Sequence, residues 1–216
     1  MKVTTDGCLF GALIKPTDQG QILDVGTGTG LLSLMIAQKS NTRIQAIEID
    51  NDVAEQASSN FEASPWKNQL TLHNASLQHF ESSIRFEQIV CNPPFFKGNA
   101  LGKSTVKNQA VHDNSLPMNV LLAKCLELLS ENGSLWLMYP AYEMTQFKLL
   151  AEKAGLFPEN WISIRNNSNA KPIRIVSSFS RNNGIKDISR DIIIRDTEHN
   201  YTQEFIVLLK PYYLHL

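Results

Sequence analysis

The chain is poor in the features that mark several large protein classes. Cysteine is scarce, with Cys8, Cys91 and Cys125 widely spaced and no C-x-x-C pair. That argues against a disulfide framework. Cys91 and Cys125 lie in apolar runs and read as buried thiols, which fits a reducing compartment. His73, His79, His199 and His215 show no ligand spacing with the cysteines, so no metal is expected. No apolar stretch approaches membrane-spanning length. The opening MKVTTDGCLFGALI has one lysine and a short apolar run broken by Gly7 and Gly11, and it does not read as a signal peptide. A cytoplasmic protein without membrane association is expected. Charge is also sparse: 19% of residues are charged and the net charge is -1, with no long run of either sign. No global field points to nucleic acid or membrane, although a local basic patch is compatible with that balance. Internal repeats and low-complexity segments are absent, and no obligate protein partner is inferred.

What the chain does have is apolar residues, 43% of 216, enough for one substantial core. One domain over 1–216 is expected, with an N-terminal segment (1–20), an α/β core (21–155) and a C-terminal part (156–216). In the core, short apolar runs alternate with helical periodicity. QILDV (21–25), RIQAIEI (43–49), QLTLH (69–73), FEQIVC (86–91) and SLWLMY (134–139) read as strands. The helices between them begin after Gly30, at Asn51 or Asp52 as cap, and at 115–129, which stops before Asn132-Gly133. Another covers about 143–154 and ends at Gly155. This is the pattern of a doubly wound, mostly parallel α/β sheet. After residue 156, NWISIRN, IRIVSSFSR and ISRDIIIRD are strand-like without helices between them, which suggests an antiparallel addition. TQEFIVLLK (202–210) is compatible with helix or strand, and Thr202 as a cap favours helix.

The first strand runs into a glycine loop, LDVGTGTGLLSL, with Gly26, Gly28 and Gly30. Glycines there let a ligand approach the backbone at the carboxyl end of the sheet. The dinucleotide fingerprint needs its third glycine where this chain has Leu31, which argues against NAD or FAD. No G-K-[ST] follows, so an ATP phosphate cradle is not supported. Asp24 ends the strand, where its carboxylate can accept from a cofactor ammonium or order the loop. Glu48, with Asp50 second, can accept from two ribose hydroxyls; the alternative role for Asp50 is to cap the following helix. The plain alternative is a tight turn in a nucleotide-type fold.

The fourth strand runs into IVCNPPFFKGN. A turn explains Asn92-Pro93 but not Phe95 and Phe96. A planar base in front of a cofactor explains both, with an aromatic face to stack on and Asn92 reading the base edge. The exocyclic amino group of adenine is a weak nucleophile. The Asn92 side-chain carbonyl and the Pro93 main-chain carbonyl can each accept one of its hydrogens, aligning the nitrogen with an electrophilic methyl.

Together, D-V-G-T-G-T-G and N-P-P-F resemble the S-adenosylmethionine-dependent class I methyltransferases that modify amino groups. K-V-T-T-D-G-C-L-F-G-A, the Pro172–Phe179 strand and the YTQEF…YYL ending further resemble the bacterial tRNA1(Val) adenine-N6 methyltransferases over nearly the whole chain. The resemblance implies a Rossmann-like fold, S-adenosyl-L-methionine as cofactor and a tRNA substrate, methylated at the adenine beside the anticodon. It assigns the amino-group site to Asn92, Pro93, Pro94 and Phe95. The implied cofactor contacts are Asp24, Gly26, Gly28, Gly30 and Glu48, with Ser76 where relatives carry an acid and Thr5 from the TTDG segment. Relatives also carry a further stretch upstream of Met1. An N-P-P-[FY] loop serves rRNA guanine-N2 and release-factor glutamine-N5 methyltransferases as well, and an inactive adenosine-binding RNA module would keep the same fold. Lys97, Lys103, Lys107, Arg165, Lys171, Arg174 and Arg181 are candidates for a phosphate-contacting rim, and His112 is a further residue of the loop after the motif.

Overall fold

Strands buried on both faces need uninterrupted apolar runs, and the helices that cover them need a stripe of apolar residues. Both patterns are realised in a computed structural model that describes residues 3–93, 116–183 and 188–215. Its helices are α1 (Thr5–Leu13), α2 (Leu31–Ala37), α3 (Asn51–Glu62), α4 (Met118–Leu128), α5 (Ala141–Lys153) and α6 (Gln203–Leu209). Its strands are β1 (Gln21–Val25), β2 (Arg43–Glu48), β3 (Leu70–Asn74), β4 (Phe86–Cys91), β5 (Leu129–Tyr139), β6 (Phe157–Pro158), β7 (Asn160–Arg165), β8 (Arg174–Ser180) and β9 (Ile188–Ile193). They form one sheet in the order β3-β2-β1-β4-β5-β8-β7-β9, with β6 paired to β8. The first five strands are parallel. β8 is antiparallel to β5 and to β7, while β9 adds parallel to β7.

Alternation along each strand sends side chains to opposite faces. Ile22, Ile44 and Val90 pack with α1, α2 and α6, whose Phe10, Ile36 and Phe205 are buried there. Leu23, Ile47 and Ile89 pack on the other face with Leu121, Phe147 and Phe179. The two faces thereby hold two apolar cores with the sheet between them.

Three local features differ from the pattern read in sequence. The segment around Gly7 and Gly11 is a helix, and those glycines are its contact surface. A Cβ at Gly7 would crowd Leu31, and one at Gly11 would crowd Met35, both on α2. α1 therefore lies parallel and close to α2. Thr4 Oγ1 caps its start by accepting from Gly7 N (3.2 Å). Lys39 Nζ closes its end, donating to Gly11 O (2.7 Å) and Ile14 O (2.6 Å), and burial brings that amine down to about 8. In α3 the cap is Asp50 in its alternative role, not Asn51 or Asp52; its Oδ1 accepts from Val53 N at 3.1 Å. α4 stops before Asn132-Gly133 as expected, but the strand that follows begins at Leu129 instead of Ser134. Asn132-Gly133 lies within β5, where the register against β4 shifts between Phe86 and Gln88. Gly133 sits so close to Phe86 O that a Cβ would be 2.9 Å from it, leaving room only for glycine.

Candidate active site at the carboxyl edge of the sheet

Parallel strands bring all their carboxyl ends to one edge, so the loops after β1, β2, β3 and β4 lie together. Val25 pairs with Cys91, which places Gly26 and Asn92 side by side, each one residue beyond the sheet. The same register sets Asp24 beside Val90, so Asp24 and Asn92 fall on one face.

The loop is held from below and from the side. Asp24 is fully buried, and its Oδ2 accepts from Thr27 Oγ1 (2.6 Å), Ser33 Oγ (2.7 Å) and Ser33 N (3.2 Å). Its Oδ1 is buried without a partner among the described residues. Burial pushes this carboxyl up to about 6, against the pull of the Thr27 and Ser33 hydrogen bonds. A carboxyl raised in the folded state stabilises the fold below its unfolded value. That contribution is lost as pH rises from about 4 through 6, so the ligand-free fold at neutral pH carries a penalty of roughly 3 kcal/mol. A carboxyl raised by burial, with one oxygen unmet at the edge of the sheet, is a candidate ligand contact.

Glu48 is buried beside the loop. Its Oε2 accepts from Gly28 N (2.9 Å), and its Oε1 from Ile49 N (2.9 Å) and Asp50 N (3.0 Å). This fixes the carboxylate at the tip of β2. Gly26, Gly28 and Gly30 have φ of 66°, 60° and 87°. Gly30 has a second reason to lack a side chain, because a Cβ there would run into the Phe61 ring of α3. Asn60 on the same helix donates to Thr29 O (2.8 Å), tying α3 to the loop. At the end of β3, Asn74 Nδ2 and the following Ala75 N both donate to Glu48 O (2.9 and 3.0 Å). Ser76 Oγ shares a 2.9 Å hydrogen bond with His79 Nδ1.

At the end of β4, Asn92 is half-buried, its Oδ1 buried and without a partner among the described residues, and Pro93 is buried. Pro94 and Phe95 lie outside the described residues, as do Phe96, Lys97, Lys103, Lys107 and His112. Thr5 is exposed in the first turn of α1, at the same edge, and its hydroxyl is bonded to Tyr213. Of the basic residues, Arg165, Lys171 and Arg174 belong to this edge. Arg181 lies at the opposite one, donating to Ser130 O (2.6 Å). Two side chains that the sequence did not single out also stand here. Ile49 is 68% exposed immediately after Glu48, and Tyr142 is 72% exposed just after β5. An exposed apolar side chain beside a fixed acceptor offers a flat ligand one apolar face and one polar edge. Among the described residues no three His, Cys, Asp or Glu side chains are grouped to hold a metal, and no helix is long and apolar enough to cross a membrane.

Residues 7–153 match the family model of the methyltransferase small domain. The chain belongs to this methyltransferase family. It is 37% identical to the tRNA1(Val) (adenine(37)-N6)-methyltransferase of Cytophaga hutchinsonii, with 100% of this chain and 92% of that protein aligned. It is 38% identical to the protein of the same name from Flavobacterium psychrophilum, over 99% and 93% of the two chains. At this similarity the chain belongs with the tRNA1(Val) (adenine(37)-N6)-methyltransferases. Solved structures agree on the fold. A predicted O-methyltransferase, protein Atu636 from Agrobacterium tumefaciens, superposes with a TM-score of 0.71 at 15% identity over 94% of this chain and 95% of that one. The glycopeptide N-methyltransferase MtfA complexed with S-adenosyl-L-methionine gives 0.60 at 12% identity, over 82% and 93%. The methyltransferase fold is thus the Rossmann-like one expected, with its glycine loop and Asn92 on a single edge.

Proposed function

We propose that the protein transfers a methyl group from S-adenosyl-L-methionine to the N6 amino group of an adenine in tRNA, acting in the cytoplasm. The observation that carries this reading is the buried, unpartnered Oδ1 of Asn92 beside Gly26, an acceptor that awaits an N–H donor. The family relatives named as tRNA adenine-N6 methyltransferases make the donor an adenine amino group.

The site suits the cofactor. The free Asp24 Oδ1 faces a cation well, which matches the ammonium of the methionine part. Glu48 is already oriented by three N–H groups and presents its remaining acceptor capacity to the ribose hydroxyls. Ile49 supplies an apolar face for the adenine ring. Gly26 and Gly28 keep side chains out of the approach, Gly30 lets α3 close on the loop, and Ser76 and Thr5 border the site. When bound, this cofactor supplies an electrophilic methyl. Asn92 then accepts one hydrogen of the substrate amino group through Oδ1, and the Pro93 carbonyl accepts the other. Two fixed acceptors hold the nitrogen in line and favour the positive charge that develops on it as the bond forms. Phe95, which lies outside the described residues, is proposed as the stacking face for the base. The proton leaves from the methylated nitrogen, which is acidic enough to need no dedicated strong base.

The test is to incubate the purified protein with S-adenosyl-L-methionine and unmodified tRNA, then digest the RNA and weigh its nucleosides. N6-methyladenosine at one site is the expected product. A methyl group on any base other than adenine, or cofactor binding without turnover on this tRNA, would each overturn the proposal.

A further inference from the structure

Beyond the reacting strand the carboxyl edge continues through β5, β8, β7 and β9, and each of the last three brings an arginine to it. Arg174 opens β8, Arg165 ends β7 and Arg195 follows β9. The Ile164–Arg174 pairing and the 2.9 Å bond from Arg195 N to Asn166 O set them at one level. Two of them face carboxylates: Arg174 Nε is 3.0 Å from Asp6 Oδ2, and Arg165 Nε is 2.9 Å from Asp191 Oδ2.

Arg195 is different. Among the described residues it has no carboxylate partner. Its guanidinium lies over the Tyr201 ring, 4.3 Å from the centroid, and Tyr201 stacks on the buried Phe205 ring at 4.5 Å and 17°. One guanidinium nitrogen, Nη1, donates to His199 O (2.6 Å). His199 takes a φ of 65°, a left-handed conformation uncommon outside glycine. The turn that holds it is built by Asp196 Oδ1, which accepts from Glu198 N and Asn200 N at 2.9 Å each. That carboxylate is therefore engaged within the turn. The result is an exposed guanidinium on a rigid aromatic base, with one face turned outward.

We propose that Arg195, seated on Tyr201 and Phe205, is a stacking site for a base of the substrate RNA some distance from the reacting adenine. This rests on the RNA-methylation reading above. A guanidinium is planar and weakly hydrated, and unpaired RNA bases stack on such planes. The neighbouring exposed Glu198 disfavours a phosphate at this point, so a base is the better match. Four strand spacings separate β4 from β9. At about 4.8 Å each, the platform stands about 19 Å along the edge from Asn92, which is roughly five stacked nucleotides.

The experiment measures methyl transfer to tRNA for the wild type, Arg195→Ala and Arg195→Lys, with cofactor affinity and melting temperature alongside. Arg195→Ala is expected to raise KM for tRNA by about 5- to 30-fold, leaving cofactor affinity and melting temperature as they were. Arg195→Lys keeps the charge without the plane and should retain most of that loss. An unchanged KM in Arg195→Ala, with the wild type active, overturns this proposal alone. So does full rescue by lysine, or a loss of cofactor affinity or folding stability in both variants. A wild type inactive on tRNA removes the underlying reading and this proposal together.

Discussion

The two ends of the sheet are finished differently. At the amino end there is an open hollow of about 520 Å³ lined by Asp18, Gly20, Gln21, Asn41, Thr42 and Arg43. Its polar neighbours are occupied with one another. Gln88 accepts from Thr17 N and donates to Lys15 O, Glu87 accepts from Gln21 N, and Thr42 donates to Thr17 O. Gln69 Oε1 is the buried acceptor left unmet there. At the carboxyl end, Asp24 Oδ1 and Asn92 Oδ1 are both buried and unmet, on adjacent strands and beside a glycine loop. A hollow shows where solvent fits. Two unmet buried acceptors on adjacent strands beside a glycine loop, unlike the isolated Gln69 Oε1, mark where the fold is completed by something else. Leaving each so costs about 1–3 kcal/mol.

Substitutions at the two ends sharpen this contrast. The largest of these effects is expected for Glu48→Ala, which removes the acceptor that orders the loop and is proposed to meet the ribose. S-adenosyl-L-methionine should bind about 10- to 150-fold more weakly, read by calorimetry, and unchanged affinity would take Glu48 out of the site. A smaller effect comes from pH. If the cofactor ammonium sits at Asp24, binding requires the ionised carboxyl, whose value in the free protein is about 6. Affinity should be full above that value and fall about tenfold by pH 5. Asp24→Asn should flatten this dependence, and a wild type with flat affinity between pH 5 and 7 would separate Asp24 from the cofactor. The smallest effect belongs to the amino end, where Arg43→Ala should leave cofactor affinity and methyl transfer within about twofold. A tenfold loss there would mean that the hollow is functional and the contrast is misjudged.

Much of this was legible in the chain. The β1–β5 alternation shows because strand and helix periods differ and because Gly30 and Gly155 punctuate them. Asn92 shows because an apolar strand cannot continue through Asn-Pro-Pro. α1 does not show, since it is apolar on nearly every side and Gly7 and Gly11 read as breakers until α2 is packed against them. Ile49 looks like the last residue of a strand, and only its exposure marks it out. The bond between Thr5 and Tyr213 joins opposite ends of the chain, and no local pattern announces it. Arg195 on Tyr201 depends on the left-handed turn at His199, which side-chain composition does not reveal. Contacts fixed by local period were readable, whereas those fixed by packing between distant segments were not.

Asn92 carries the proposed chemistry most directly, and a single-turnover assay of Asn92→Ala on tRNA tests its role. The unmet Oδ1 is proposed to act on the substrate amino group as charge develops, not on the cofactor. The single-turnover methylation rate should therefore fall by about 10²–10³-fold while S-adenosyl-L-methionine affinity stays within about twofold. A variant that transfers the methyl group at the wild-type rate, or one that loses cofactor binding instead, would contradict the account and leave Asn92 as a turn residue.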